Sequence, residues 1–327
     1  SRRTQYDVST VENRLDLKMS TSNSPSRSAD NTRLHAITYM LGSTVLFSCM
    51  HGTIRYVSAE LHPFEIAFFR NLFGLFLLAP LLFWYGIAPL RTAKLKYHLL
   101  RGLFNISSMM CFFYALSIAP LTDVAAMTFA SPIFATALAV FVFGERVGIR
   151  RWTAIMIGFA GTLVVLRPGF EGVALGPLLA LIASLLWGIA LLVIKLLART
   201  ESSLTITAYM MILLTPLSLV PAVFFWQWPT GEQYLWLVFT AALGTSGHLF
   251  LNQALKVAET NVVMPVDFVR LIWVSIIGFY IFGEVPDLFT WIGGAIIFSS
   301  ALYIAYRESF RRRQHAERSM VSRDACL

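Results

Sequence analysis

The chain has 327 residues, of which 57% are hydrophobic and only 13% are charged. A soluble domain carries roughly 25% charged residues, so this composition excludes an ordinary soluble protein and indicates a membrane protein. The formal net charge of +8 comes from basic residues at the ends of apolar runs and in the tails. Lys and Arg at such places orient membrane helices, so nucleic acid is excluded as a partner.

The first segment, residues 1–33, is polar and rich in Ser, Thr, Asn and Arg. It has no apolar h-region, so we predict a disordered tail rather than a signal peptide. A second, basic tail is predicted at residues 307–327.

Between the tails, apolar runs follow one another with short polar breaks. Runs of about 18 to 24 residues are long enough to cross roughly 30 Å of hydrocarbon as helices. We predict ten spans, at residues 34–57, 63–85, 97–119, 121–143, 151–166, 175–197, 203–225, 234–257, 261–282 and 288–306.

Lys and Arg are concentrated in every second connection between the spans. Lys94 and Arg151 lie in rich connections, whereas Glu60 and Asp287 lie in poor ones. The positive-inside rule places the rich connections and both termini in the cytoplasm.

Three pairs of landmarks recur at a constant offset of 139 residues: Ala115 with Ala254, Gly144 with Gly283, and Trp152 with Trp291. A constant offset over separate landmarks indicates two copies of one unit, at residues 34–167 and 175–306. Five spans per copy is an odd number, so the second copy is inverted in the membrane. We therefore predict an all-α integral membrane protein with ten transmembrane helices in two inverted five-helix repeats. Carriers of this design bind solute near the midplane, although a duplication kept for packing alone is the alternative.

Each copy has a span that ends in Phe-Gly-Glu, and this repeated segment resembles the EamA domain of the drug/metabolite transporter superfamily. Within that superfamily, Leu-His-Pro-Phe-Glu-Ile-Ala-Phe-Phe-Arg at residues 61–70 resembles the second helix of bacterial S-adenosylmethionine uptake carriers. Residues 100–103, 117–120 and 158–161 point the same way. The resemblance implies a ten-helix carrier in the inner membrane that transports amino acids, their derivatives or nucleotide-like compounds and is not an enzyme.

Charged side chains inside a predicted span are the first candidates for a solute site, because each costs at least about 2.5–3.5 kcal/mol on insertion scales. Asp267 and Arg270 are three residues apart and share one helix face, so they form either a self-neutralising pair or a solute or proton site. Arg70 needs an anionic partner or a wet cavity, and is either a carboxylate-binding or a structural cation. Glu65 lies near the end of its span, where a solvated interfacial carboxylate and a site residue are both open.

Imidazole, amide and indole groups are the second set of candidates. His51, Asn105, His248 and Asn252 could orient a polar solute, although hydrogen bonding between helices is their more ordinary use. Two indoles well inside their spans, Trp187 and Trp273, could hold a cationic group.

The repeated Gly-Glu is predicted to be structural, because Gly144 and Gly283 stand where helices end and both copies need the same turn. The three cysteines are far apart and lack metal-ligand spacing, so we expect no disulfide, metal site or cofactor.

These observations predict a secondary transporter that moves a small polar or zwitterionic metabolite by alternating access. No Walker loop is present in the sequence, which excludes ATP as the direct energy source, while exchange, facilitated diffusion and proton coupling stay open. The alternatives are an intramembrane enzyme, which the lack of His-Glu-x-x-His and Gly-x-Ser-x-Gly disfavours, and a receptor or sensor. The expected partners are a small solute and the bilayer, with a homodimer left open.

Overall fold

The structure is a computed structural model that describes most of the chain, namely residues 25–85, 92–143, 149–166, 174–197, 200–201, 203–257, 266–267, 269–304 and 306. Helices dominate it, and no strand occurs within these ranges. We number the helices in chain order as α1 (Pro25–Val57), α2 (Pro63–Tyr85), α3 (Leu95–Ile118), α4 (Leu121–Thr128), α5 (Ser131–Phe143), α6 (Ile149–Leu166), α7 (Leu175–Leu197), α8 (Ser203–Val223), α9 (Gly231–Val257), α10 (Val269–Phe282) and α11 (Leu288–Ile304).

The helices are apolar enough for the predicted membrane architecture, which is thereby confirmed as all-α. Five stretches satisfy the length and composition needed to cross a bilayer: Pro63–Pro80, Leu95–Ile118, Leu121–Leu138, Leu175–Ile194 and Gly231–Leu251. Shorter apolar stretches lie in four other helices: Trp152–Leu166 in α6, Ala208–Val223 in α8, Val269–Phe282 in α10 and Leu288–Ile304 in α11.

The predicted boundaries need two corrections. Helix α1 begins at Pro25 rather than at residue 34, so the end of the predicted disordered tail is helical. The predicted fourth span is two helices, α4 and α5, interrupted at Phe129 and Ala130. Pro132 contributes to the break, because its ring would clash with the carbonyl of Thr128 in a continuous helix. The predicted start of the ninth span and residues 307–327 lie outside the described residues.

The most extensive helix contacts occur in pairs that exchange of the two copies relates. Exchange of the copies maps α1 to α7, α2 to α8, α3 to α9, and α4 with α5 to α10. Helix α1 packs against α9 and α7 packs against α3; likewise α1 contacts α10, and α7 contacts α4 and α5. Helices α2 and α8 are equivalent in the two copies, and they pack against each other. This pattern is the one expected for two copies of one fold.

Glycines bring α6 and α11, the last helices of the two copies, into close contact. A methyl group at Gly161 would lie 3.0 Å from the carbonyl oxygen of Gly293, and one at Gly293 would lie 2.8 Å from that of Gly161. Ser300 donates a hydrogen bond to the carbonyl of Ala154 in the same interface. Small residues thus allow backbone approach between membrane helices.

The apolar core is continuous across both copies. It includes fully buried Ile54, Leu116 and Met127 of the first copy with Leu237 and Leu271 of the second. The core leaves an unfilled volume at the centre, where polar residues from both copies meet.

Candidate functional site

A cavity of about 340 Å³ lies between the two copies. Side chains from every helix except α6 line it, so both copies contribute its walls. Its volume falls in the range of roughly 300–1,000 Å³ that small-molecule pockets occupy. Most of the lining is apolar, with a few polar groups, which is the usual composition of such pockets.

Most of the residues predicted for the solute site line this cavity. They are His51, Arg70, Asn105, Trp187, His248, Asp267 and Arg270. Trp273 is not among the lining residues, and the side chain of Asn252 lies outside the described residues. The structure therefore brings together side chains that are spread over more than two hundred residues of sequence.

Asp267 and Arg270 form an ion pair at the beginning of α10, with 2.9 Å between Oδ2 and Nη2. Nη2 of Arg270 also donates to Oγ1 of Thr128 at 3.2 Å, and its guanidinium carbon lies 5.4 Å from the ring centroid of Phe129. The two predicted roles of this pair are compatible here, because the pair is self-neutralising and also lines the cavity.

Arg70 lies on α2 and lines the same cavity. Its side chain is 4% exposed, and Nη1 donates to Oδ1 of Asn71 at 3.0 Å. Asn71 in turn donates from Nδ2 to Oγ of Ser218 at 3.3 Å. This chain of hydrogen bonds fixes the guanidinium.

The two cavity histidines are packed among aromatic rings. The ring of His51 lies 5.0 Å from that of Phe112, and the ring of His248 lies 5.0 Å from that of Phe47, both in edge-to-face geometry. Nδ1 of His51 is buried and has no hydrogen-bond partner among the described residues. The histidines therefore shape an aromatic wall of the cavity.

Sequence reasoning missed Thr128 and Phe129, which lie at the break between α4 and α5 and contact Arg270. A signal for them existed, since Thr128 precedes Asp267 by the repeat offset of 139 residues. Positions that are equivalent in the two copies thus meet in the cavity. Ser184 of α7 supports the same break by donating to the carbonyl of Met127 at 2.7 Å.

Glu65 is fully buried, which disagrees with the solvated interfacial carboxylate that was one of the two open interpretations. Its Oε2 accepts a hydrogen bond from the backbone nitrogen of Gln227 at 3.4 Å, and it does not line the cavity. Packing of the segment after α8 over the end of α2 covers this carboxylate, which span boundaries alone do not show.

The predicted helix end at the glycine of the repeated Gly-Glu is confirmed in the second copy. Gly283 has φ +66° and its nitrogen donates to the carbonyl of Phe279 at 3.1 Å, which closes α10 with a left-handed cap. Glu284 then pairs with Arg55 at 3.0 Å. Gly144 and the adjoining glutamate of the first copy lie outside the described residues.

The described residues contain no group of three or more metal-ligating side chains that could hold a metal ion. Cys49 and Cys111 are free.

Comparison with known proteins decides the family. The model of the EamA-like transporter family matches residues 34–167 and again residues 174–306. The chain belongs to the EamA-like transporter family. The predicted resemblance is confirmed, and membership identifies the chain as a transporter rather than an enzyme.

Relatives of this EamA protein include transporters of different metabolites. An S-adenosylmethionine uptake transporter of Rickettsia prowazekii (strain Madrid E) is 32% identical over 280 residues, which cover 85% of this chain and 94% of that protein. A riboflavin transporter of Vibrio cholerae serotype O1 is 29% identical over 286 residues, covering 86% and 96%. A solved crystal structure with 20% identity has a TM-score of 0.54 and covers 87% of this chain and 98% of its own, which supports the fold alone. The EamA protein is therefore a membrane transporter of small metabolites.

Proposed function

We propose that this EamA protein is a secondary transporter that moves a small polar or zwitterionic metabolite by alternating access. The observation that carries the proposal is the cavity of about 340 Å³ walled by helices of both copies. A site between two inverted repeats can face either side of the membrane as one repeat rocks against the other.

The chemistry of the cavity favours an amino acid or an amino-acid derivative as the solute. Asp267 supplies a negative group, and Arg70 and Arg270 supply positive ones. Trp187 and Phe129 add aromatic faces, which attract ammonium or sulfonium groups. S-adenosylmethionine combines a carboxylate, an ammonium and a sulfonium group, and a relative is named as its uptake transporter. Riboflavin, for which other relatives are named, is the competing solute.

Counterflow in proteoliposomes tests the proposal. Vesicles containing the purified full chain are loaded with unlabelled solute, and uptake of the labelled solute is followed for S-adenosylmethionine, riboflavin and a set of amino acids. We expect uptake of labelled S-adenosylmethionine above that of protein-free vesicles, with the recovered label chemically unchanged on chromatography. Product formation would contradict a transporter, and a lack of counterflow for every solute would contradict the proposal.

A further inference from the structure

We infer that Arg70 binds an anionic group of the solute, so that the transported class is carboxylate-bearing metabolites. The inference rests on the proposed transport function and specifies the solute of the same cavity. It also assigns different roles to the two arginines of the cavity, Arg70 and Arg270.

The charges of the cavity wall do not balance. Among the described residues, the charged side chains that line it are Arg70, Asp267 and Arg270. Asp267 and Arg270 neutralise each other at 2.9 Å. One positive charge, that of Arg70, is left over.

Arg70 has no carboxylate partner in the part of the chain that the structure describes. On the same helix, Oε2 of buried Glu65 accepts a hydrogen bond from the backbone nitrogen of Gln227 at 3.4 Å, while its Oε1 has no hydrogen-bond partner among the described residues and no ion pair joins Glu65 to Arg70 there. Glu284 is paired with Arg55. Arginine stays protonated in proteins, so the charge of Arg70 cannot be removed by loss of a proton. A buried, uncompensated charge is unfavourable, and an anion of the solute supplies the missing compensation.

The guanidinium of Arg70 also has unused hydrogen-bonding capacity. A guanidinium carries five N–H donors. Within the described residues, Nη1 finds an acceptor in Asn71 and Nε finds none. A charged N–H donor binds a carboxylate more strongly than it binds a neutral acceptor.

The position of the Arg70 guanidinium depends on the lack of a side chain at Gly244 in the second copy. A methyl group added to Gly244 would lie 2.8 Å from Sδ of Met50, 3.0 Å from Nη2 of Arg70 and 3.1 Å from Nε of Arg70. Gly244 follows Asn105 by 139 residues, so the first copy has an amide where the second has no side chain. Arg70 occupies that space, and the cavity is therefore asymmetric although the fold is repeated.

Arg270 differs from Arg70, because Asp267 already neutralises the charge of Arg270. It pairs with Asp267, donates to Thr128 and lies over the ring of Phe129. A solute anion at Arg270 would have to compete with Asp267, whereas an anion at Arg70 competes with no carboxylate that the structure describes.

Matched ligand pairs test the inference on the purified full chain. Binding is measured by thermal stabilisation with S-adenosylmethionine against its decarboxylated analogue, and with methionine against methioninamide. We expect the carboxylate member of a pair to bind about ten-fold or more tightly, as for a hydrogen bond to a charged group. Arg70→Gln is expected to abolish this preference.

Two controls separate binding from folding. Arg101→Gln also removes a buried guanidinium, which donates to the carbonyl of Ile206 at 2.8 Å but does not line the cavity, so the preference is expected to persist. Gly244→Ala keeps the residue Arg70 but crowds its guanidinium and Sδ of Met50, so it is expected to reduce the preference. Gly102→Ala, where a methyl group meets its nearest neighbour at 3.5 Å, is the matched glycine control.

Several results would overturn the inference: retention of the preference in Arg70→Gln, or a wild-type protein without preference, whether both members of each pair bind equally or neither binds. Counterflow with the wild-type protein distinguishes the two proposals. Counterflow without carboxylate preference refutes the inference alone, and carboxylate preference without counterflow refutes the transport function alone.

Discussion

Asp267 holds a charged arginine in the wall of a membrane cavity. The side chains of Asp267 and Arg270 are only 20% and 15% exposed, so each depends on the other for compensation. Removal of one member of a buried ion pair leaves the other uncompensated, which is costlier than removal of both.

Asp267→Asn is therefore expected to lower stability by about 3 kcal/mol and to abolish counterflow, because Arg270 is left as a second free cation beside Arg70. Thermal unfolding in detergent and counterflow of S-adenosylmethionine measure the two effects. The double variant Asp267→Asn with Arg270→Gln restores the net charge of the wild-type cavity, so its unfolding temperature should recover while transport stays absent. Wild-type counterflow in the single variant would show that Asp267 has no part in transport.

Single residues differed in how well the sequence predicted them. Arg70, Asp267 and Arg270 could be recognised because a charge in an apolar span needs a cavity or a partner. Trp187 and Trp273 could not be separated, because an indole fits a cavity, a helix interface or lipid equally well. Only the packing of α7 and α10 puts the former in the cavity wall and the latter outside it.

At the scale of elements, the clearest local rule is the end of α10. A methyl group on Gly283 would meet nothing within 4 Å, so space is not the reason for a glycine there. The reason is its φ of +66°, which disfavours residues with a Cβ by about 1–2 kcal/mol. The cap also places Glu284 so that its backbone nitrogen donates to the carbonyl of Gly278.

Gly283→Ala is expected to lower stability by about 1 kcal/mol, whereas Gly283→Asn should lose less, since Asn tolerates the left-handed conformation. Unfolding temperatures of the purified variants measure this difference. Gly231→Ala is the control, because a methyl group there also meets nothing within 4 Å and its φ lies outside the left-handed region. Equal losses in the Gly231 and Gly283 variants would contradict the conformational explanation.

The break between α4 and α5 shows where pattern reading of elements fails. The apolar run through residues 121–143 is long enough for one span, so hydropathy gives no sign of an interruption. Pro132 was the available signal, but Pro80 and Pro216 stand inside continuous helices. Tertiary contacts decide between these outcomes, and at the break Ser184 binds the carbonyl of Met127.

At the scale of the whole molecule, the repeat predicted most of the architecture. A constant offset fixes which helices are equivalent, and the most extensive observed contacts are those that exchange of the copies requires. The repeat could not predict the site, because the site lies in the differences between the copies. Asp267 and its equivalent Thr128 differ in charge and both line the cavity, and Gly244 is equivalent to Asn105.

One cluster ties the two copies together at the end of the bundle where α1 and α10 finish. Arg55 of the first copy pairs with Glu284 of the second at 3.0 Å and donates to the carbonyls of Leu116 and Ala119 at 2.9 and 2.7 Å. Glu284 also accepts a hydrogen bond from the nitrogen of Leu121 at 2.8 Å. The distribution of Lys and Arg predicts that this end is external, and the proposed alternating access requires the two halves to separate there.

Glu284→Gln is therefore expected to favour opening of this end, because the neutral amide loses the attraction to Arg55. The measurement is the alkylation rate of a cysteine introduced by Ser131→Cys in the cavity wall, in a chain without its native cysteines. A membrane-impermeant maleimide is added outside whole cells, and labelling should be several-fold faster than with Glu284 intact. Glu232→Gln removes a carboxylate that binds Nε1 of Trp236 at 3.5 Å and makes no such link, so its labelling rate should not change. Equal rates in the two variants would show that the Arg55–Glu284 pair does not hold this end closed.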